Sequence, residues 1–456
     1  MTMVIVGLGK TGSACVRYFQ RILPDLSLRV VDSRENPPGA ADFKKQYPAI
    51  PLQCGALTPD VFRGAERVIV SPGMQQWATQ IQAWVGPRVT VSGDIDLFAE
   101  AIAGHGVATL GITGSNGKST VTTLVGECLK ALGYRVMVGG NLGTPALDLL
   151  PKEGEPWPEV AVLELSSFQL VLTQHLPLTV ATLLNVSPDH LDYHGTEAQY
   201  RAAKQRIFRD AQMAVVNRDA LECYTGLTLD MPVLRFGLFA PENVEEFGMI
   251  MADGEVWLCR GTQRIMLASE LSLSGTHNMA NVLAAFAMVA GFAATMGRPI
   301  DWEPIRQSLK QFKGLPHRCQ WVREVDGVRY INDSKGTNVG ATEQALVGLG
   351  DSISGKWILL AGGEGKGADF TVLLPALQQY VKGVVLIGKD KHILAETFKE
   401  TVPCHVCETL EEAVGMCRDL STSGDGVLLS PACASIDMFT DYTARGDLFT
   451  ACVLKL

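Results

Sequence analysis

A chain of 456 residues is too long for one hydrophobic core, so roughly two to four domains are expected. Apolar residues at 47% and charged residues at 19% exclude a disordered or fibrous chain and fit a globular enzyme. A formal net charge of −9 excludes a non-specific hold on nucleic-acid phosphates, though a local glycine loop or lysine can still bind a small anion.

The N-terminus runs directly into an apolar strand at residues 3–6, with no basic stretch, apolar stretch and cleavage site in succession. No signal peptide is expected. "GLGKTG" at 7–12 follows that strand, opens a helix, and precedes Asp32 by about 20 residues, as a dinucleotide fingerprint requires. Glycines let the backbone approach a diphosphate, and the helix start favours its charge. The pattern says a diphosphate and a ribose, not which nucleotide, and a ligand-free strand–helix turn would look the same. A strand ending at Asp32 and another at 67–73 continue this segment.

A second segment starts with a strand feeding "GITGSNGKST" at 111–120. The strict phosphate-loop pattern wants glycine at 112, where the chain has Ile112. The phosphate end is nonetheless complete: backbone N–H groups at a helix start, Lys118 as a compact positive charge, and a Ser119 hydroxyl suited to Mg²⁺. An ATP site is expected here. Glu164 ends a strand at 160–165, and "NVSPDHLDYHG" places Asp189, His190, Asp192 and His194 after the strand at 179–186. Strand ends of parallel sheets gather ligands, so a carboxylate and an imidazole from neighbouring ends are candidates for a Mg²⁺ site. Lys204, beside Arg201 and Arg206, reads from pattern alone as one more charge on a solvated face.

The most apolar run, 282–296, is shorter than the ~20 residues that span a bilayer. It reads as a buried helix, and no membrane insertion is expected. "KGLPHR" at 313–318 has the punctuation of a linker. Four further strands, each ending at a loop rich in Gly, Ser or Pro, make a third segment. Strands alternating with helices throughout predict an α/β protein with parallel sheets. The cysteines are scattered; the C-x-x-C of Cys404 and Cys407 lacks a second pair at zinc-site spacing. Reduced thiols and a cytoplasmic location are expected.

Four stretches, "TGSNGKST", "NVSPDHLDYHG" with "YRAAKQRIF", "GTHNMANVLAA" and "LPHRCQ", together resemble the ATP-dependent Mur ligases, which form amide bonds in peptidoglycan precursor synthesis. "LELSSFQL", "YINDSKGTNVGAT" and "LLSPACASIDMFTDYTARGDLF" resemble the family's D-glutamate-adding branch, and the Asp-Asn-Pro-Arg motif of the diaminopimelate- or lysine-adding relative is absent. The resemblance covers nearly the whole chain. It implies three domains: a Rossmann-like one at 1–97 binding the UDP-substrate, a central P-loop-type parallel sheet at 98–314 binding ATP, and a Rossmann-like one at 315–456 that binds D-glutamate and closes over ATP. It also accounts for Ile112, because the family loop resembles T-G-x-x-G-K-[ST].

The remaining roles are implied by the resemblance. ATP would contact Gly114, Ser115, Asn116, Gly117, Lys118, Ser119, Thr120, Asn278, Asn281, Arg318 and Asp333. UDP-N-acetylmuramoyl-L-alanine would lie along Gly9, Lys10, Thr11, Asp32, Ser33, Arg34, Ser71, Asn141 and Ser166. D-Glutamate and the phosphoryl group would meet Lys335, Thr337, Lys366, Ser435 and Tyr442, where the resemblance leads to Phe at 442. Ser119, Glu164, His190 and a carbamylated Lys204 would hold Mg²⁺. Lys118, Lys204, His190, Asn141 and His317 would carry the chemistry, and a monomer is the expectation. Two rivals share parts of this pattern. A folylpolyglutamate synthetase has the central loop but not the first fingerprint or "SPACASIDMF"; an NAD-binding sensor would leave Lys118, Glu164 and His190 idle.

Overall fold

Residues 2–273 and 275–456 are described by the computed structural model, and they form three sheets. The first holds β1 (Thr2–Val6), β2 (Ser27–Asp32), β3 (Leu52–Cys54), β4 (Arg67–Val70) and β5 (Thr90–Ser92) in the order β3-β2-β1-β4-β5, all parallel. The second has β6 (Ala108–Thr113), β7 (Val136–Gly140), β8 (Val160–Glu164), β9 (Val180–Leu183), β10 (Ala214–Asn217), β11 (Val233–Phe236), β12 (Glu246–Ala252), β13 (Glu255–Arg260) and β14 (Gln263–Leu267). Their order is β14-β13-β12-β11-β10-β9-β6-β8-β7, parallel except for the antiparallel edge β12-β13-β14. The third orders β15 (Gln320–Val325), β16 (Val328–Asn332), β17 (Trp357–Gly362), β18 (Val381–Ile387), β19 (Cys404–Val406) and β20 (Gly426–Leu429) as β15-β16-β20-β17-β18-β19, with only the β15–β16 pair antiparallel. The α/β expectation and its parallel sheets are what the structure shows.

Parallel sheets need cover on both faces, and the strands show it: every residue of β8 and of β17 is buried. Seven helices matter for the site: α1 (Lys10–Ile22), α2 (Lys118–Ala131), α3 (Ser167–Leu172), α4 (Glu197–Gln205), α5 (Thr276–Thr295), α6 (Val339–Leu349) and α7 (Tyr442–Leu454). By length and composition α5 is apolar enough to cross a membrane, yet Val282 to Ala293 are all buried, in the central core against α2. The burial read from the sequence is the burial observed. All eleven cysteines are free thiols, and no group of three or more His, Cys, Asp or Glu side chains placed to hold a metal occurs among the described residues.

The apolar cores divide the chain unevenly. One continuous cluster runs from Met3, Ile5, Phe19 and Phe98 through Ala146, Leu147 and Leu150 to Leu163, Leu183 and Val216, joining the first sheet to one face of the second. Arg17 adds an ion pair to Asp148 across the same seam, at 2.5 Å. The third sheet has two clusters of its own and shares neither with the others.

Register brings the ligand loops together. Ile112 pairs with Glu164 and Thr113 with Leu183, so the loops after β6, β8 and β9 leave the sheet side by side. In the third sheet Asn332 and Leu360 both pair with Leu429, which puts the 333–337 turn beside the 430–435 turn.

At the start of α1 the third fingerprint glycine has a steric reason. A Cβ on Gly12 would stand 1.9 Å from the Gly7 carbonyl oxygen. Gly12→Ala is therefore expected to push α1 off β1 and cost about 2–4 kcal/mol, seen as a lower thermal midpoint. An unchanged midpoint would refute this reading of the close approach.

Candidate functional site

The phosphate loop is held from below by the loop after β9. Asn185 accepts from the Ser115 N–H through its backbone oxygen (2.9 Å) and from the Asn116 N–H through Oδ1 (2.8 Å). The Ser115 hydroxyl donates to the Ser187 carbonyl at 3.1 Å and accepts from the Ser187 N–H at 3.0 Å. Two amides read from sequence as phosphate donors are thus engaged within the protein, leaving the unpaired N–H groups at the start of α2 to face a ligand.

Lys118 and Lys204 converge on one atom. The Gly114 carbonyl accepts from the Lys118 ammonium at 2.8 Å and from the Lys204 ammonium at 2.7 Å, and Lys118 also donates to the Ser115 carbonyl at 2.7 Å. Burial pushes both lysines below their ordinary values, Lys204 well below, and for Lys204 the nearby Lys118 charge adds to the effect. The sequence pattern put Lys204 on a solvated face; instead it is 1% exposed. The correction is tertiary: the face of α4 bearing Tyr200, Ala203 and Lys204 packs inward, with the Lys204 Nζ 4.5 Å from the centre of the Tyr200 ring.

Glu164, at the end of β8, accepts from the Ser119 hydroxyl and from the Asn141 amide at 2.7 Å. Arg318 donates to the same Ser119 oxygen at 2.6 Å. Burial alone would raise the Glu164 carboxyl; the Lys118 charge and the Ser119 and Asn141 hydrogen bonds outweigh it and hold it below the usual range. His190 sits at a left-handed φ of 54°, its Nε2 3.6 Å from an Asp189 oxygen, with Phe168 edge-on to the ring. Burial lowers its pKa, which favours the neutral imidazole that can ligate a metal.

These groups line a cavity of about 720 Å³ between the second and third sheets. Of the residues singled out from sequence, Ser115, Asn116, Gly117, Lys118, Ser119, Asn141, Glu164, Ser166, His190, Lys204, Arg318, Lys335, Thr337 and Lys366 face it. A neighbouring cavity of about 520 Å³ shares Asn116, Gly117, Arg318 and Lys335 and adds Thr120, Asn278, Asn281 and Asp333. Lys118, Lys204, Arg318 and Lys335 interact electrostatically there with Glu164 and Asp189. The same cavity is also lined by Lys366 and by Glu343, Glu364 and Asp369, so its charges are mixed overall, with Lys118 and Lys204 gathered at the phosphate loop, where an anion would meet them.

Other predicted residues lie outside these cavities. His317 does not line either: the Asn332 amide is 3.2 Å from its Nδ1, Asp447 is 3.5 Å from its Nε2, and its ring packs over Gly446 of α7. Its carbonyl accepts from the Lys335 N–H, which ties the His317–Arg318 turn to the 333–337 turn. Tyr442 lies behind Lys335, whose Nζ stands 4.1 Å from the ring centre, and Ser435 is buried next to the cavity-lining Ala434. Gly9, Lys10 and Arg34 are exposed beside the first sheet, Thr11 and Ser33 are half-buried there, and Ser71 donates to the Gly7 carbonyl at 3.1 Å. Asp32 is fully buried and spent on the loop itself. It accepts from the Leu8 N–H at 2.8 Å and from Arg34 at 2.7 and 2.8 Å.

Sequence reasoning missed three supports. Asn185 and Ser187 hold the phosphate loop from within a stretch quoted for its Asp and His. Arg445, 1% exposed, donates to the Ser334 carbonyl and hydroxyl and to the Cys433 carbonyl, joining the two turns of the third sheet. A lone arginine on a helix carries no signal of that kind. Asn338, whose side-chain oxygen accepts from the Ala341 N–H at the start of α6, is the third.

The fold and this cavity define a three-sheet α/β nucleotide-binding architecture. Residues 1–93 match the Mur ligase MurD-like N-terminal domain, 112–289 the Mur ligase middle domain, and 317–433 the Mur ligase glutamate ligase domain. A UDP-N-acetylmuramoylalanine–D-glutamate ligase of Pseudomonas aeruginosa is 48% identical over 455 residues, covering 99% of this chain and 98% of that protein. The structure of a UDP-N-acetylmuramate–alanine ligase from Thermotoga maritima matches 100% of this chain and 99% of its own, with a TM-score of 0.62 at 19% identity. A folylpolyglutamate synthase of Mycobacterium tuberculosis, solved with ADP, matches 78% of this chain and 92% of its own, with a TM-score of 0.58 at 18% identity. The two structural likenesses speak for the fold alone. The chain belongs to the Mur ligase family.

Burial, followed by the Arg318 and Lys118 charges, brings the Lys335 ammonium down to about 8. Because this value is lowered, Lys335 gains its free amine well below the pH at which surface lysines do. Acylation of Lys335, followed by peptide mass spectrometry, is expected to reach half its limiting rate near that pH and to slow when nucleotide fills the cavity. A midpoint at the ordinary lysine value would refute it.

Proposed function

We propose that this chain is an ATP-dependent ligase joining D-glutamate to UDP-N-acetylmuramoyl-L-alanine in peptidoglycan precursor synthesis, acting in the cytoplasm. One observation carries the reading: a full-length relative bears that activity in its name, and the residues singled out for ATP and acyl transfer meet in the cavities between the second and third sheets. In this reading residues 1–97 bind the UDP-substrate, 98–314 bind ATP, and 315–456 bind D-glutamate and close over the nucleotide.

A carboxylate is a poor acyl donor, so the alanyl carboxylate must first be activated. One of its oxygens bonds to the γ-phosphorus of ATP, the bond to the β–γ bridging oxygen breaks, and ADP leaves an acyl phosphate. Lys118, Arg318 and the N–H groups at the start of α2 hold the phosphate chain, and Asn141 and Ser166 orient the substrate. The amine of D-glutamate then attacks the acyl carbon, passes through a tetrahedral intermediate, gives up a proton and expels phosphate. Lys335, Thr337, Lys366, Ser435 and Tyr442 border the incoming amino acid. Catalysis in this scheme is positioning and charge neutralisation. His317, with its ring nitrogens facing Asn332 and Asp447, holds Arg318 at the cavity.

The donor set suits Mg²⁺. Magnesium takes one or two carboxylates and completes its shell with phosphate oxygens and water, so a preformed protein cage is not required. Ser119, Glu164, His190 and a carbamate on Lys204 are the groups that would hold it, and when bound it neutralises charge on the phosphate chain. Two ammonium groups on one carbonyl are a reason for the carbamate. Burial favours a neutral Lys204 amine, its nitrogen can bond to CO₂ with loss of a proton, and the product replaces a repelling cation with an anion.

Phosphate release from ATP should require UDP-N-acetylmuramoyl-L-alanine and D-glutamate together, with L-glutamate giving no more than the blank. Release that ignores the amino acid supplied would sink the assignment. Lys204→Ala should lower kcat by about 10³-fold or more, with bicarbonate failing to restore it; near wild-type turnover would remove the carbamate from the scheme.

A further inference from the structure

Among the described residues the third sheet shares no apolar core cluster with the rest of the chain, so its position over the cavity depends on the contacts its elements make across the cleft. Helix α6 makes several of them. At its C-terminal end Gly348 lies against His277 of α5, so closely that a Cβ would stand 2.2 Å from the His277 Nδ1. In its first turn Gly340 lies over Ser187, and just before it Asn338 reaches two separate loops of the second sheet.

Asn338 uses both ends of its amide. Its Oδ1 accepts from the Ala341 N–H at 2.8 Å and caps α6. Its Nδ2 donates to the Asn116 Oδ1 at 3.4 Å and to an Asp189 carboxylate oxygen at 3.2 Å. Those acceptors belong to the two loops that make the phosphate site. Asn116 is part of the phosphate loop, and the other Asp189 oxygen accepts from the His190 N–H at 2.9 Å. One primary amide has two N–H groups, and this geometry assigns one to each loop. Arg318 also crosses the cleft, but onto Ser119, an oxygen that a nucleotide complex needs. The Asn338 contacts fall instead on the side chains of Asn116 and Asp189, which line the cavity without taking up the Ser119 hydroxyl.

We infer that Asn338 is a positioning residue: it latches the third sheet onto the phosphate loop and the His190 loop together, so that closure is completed only when both loops are in their ligand-ready places. The latch depends on the ligase reading for its kinetic consequence and not for its geometry.

Asn338→Asp separates the two jobs of this side chain. Aspartate and serine cap helices about as well as asparagine, so α6 keeps its start in either variant. Aspartate, however, sets a carboxylate against Asp189 and removes both donors, while serine removes them without adding charge. With the full-length protein, a nonhydrolysable ATP analogue and Mg²⁺, small-angle scattering should show the wild type contracting and N338D remaining at its ligand-free dimension. Thermal midpoints should stay close together, and N338S should contract only partly. In turnover N338D should lose about tenfold or more in kcat while the KM for ATP changes by no more than about threefold. Contraction of N338D like the wild type, kcat within about twofold, or a wild type that does not contract would each overturn the latch. Should N338D fail to fold, N338S decides by the same two readouts. If no amino acid supports turnover in the wild type, the ligase reading falls, and the scattering comparison still judges the latch.

Discussion

Two buried ammonium groups share one carbonyl oxygen, and most of the site's design follows from that. Like charges brought so close inside a protein repel, and burial takes away the water that would screen them. At the phosphate loop Glu164 and Asp189 offset only part of the charge, because Arg318 and Lys335 enter from the third sheet; Lys366, Glu343, Glu364 and Asp369 also line the cavity. The phosphate-loop end of the cavity is therefore the place where the anionic groups of a ligand would meet these cations. The same imbalance explains why the carboxylates present are so well satisfied: Glu164 is held by a hydroxyl, an amide and a lysine charge at once. Parallel strand order makes the crowding feasible, since β6, β8 and β9 deliver their loops to one edge.

The central loop was legible because its chemistry is local. Gly-Lys-Ser-Thr after an apolar strand encodes both the turn and the charge within a few residues, and Glu164 is marked by its place at a strand end. Lys204 shows the opposite. Its helix carries charges at several positions, and which of them faces inward depends on packing against loops far away in sequence. Only the family resemblance pointed to it. The resemblance implied a part in the chemistry for His317, but at this turn, where His317 has a left-handed φ, only Arg318 reaches the cavity. Asn338 was not singled out, because a bond to Asn116 or Asp189 cannot be read from spacing across more than a hundred residues.

The first fingerprint was legible in form. Glycine spacing correctly anticipates a tight strand–helix approach, and Gly12 has room for no side chain. Asp32, which the same pattern assigns to a sugar, accepts here from the Leu8 N–H and from the Arg34 guanidinium. A sequence fingerprint records which residues must be near one another; whether a carboxylate meets a ligand or its own backbone is settled by the rest of the shell.

The uneven division of the apolar cores has a consequence for folding. Because Phe98, Ala146, Leu147 and Leu163 belong to one cluster, the first two sheets must gain and lose order together, and a chain severed between them would expose a wide apolar face on both pieces. The third sheet owns its clusters, so its melting need not wait for the others. Denaturation of this protein is then a matter of two cooperative blocks rather than three, with the smaller block free to unfold and reassemble while the larger one endures.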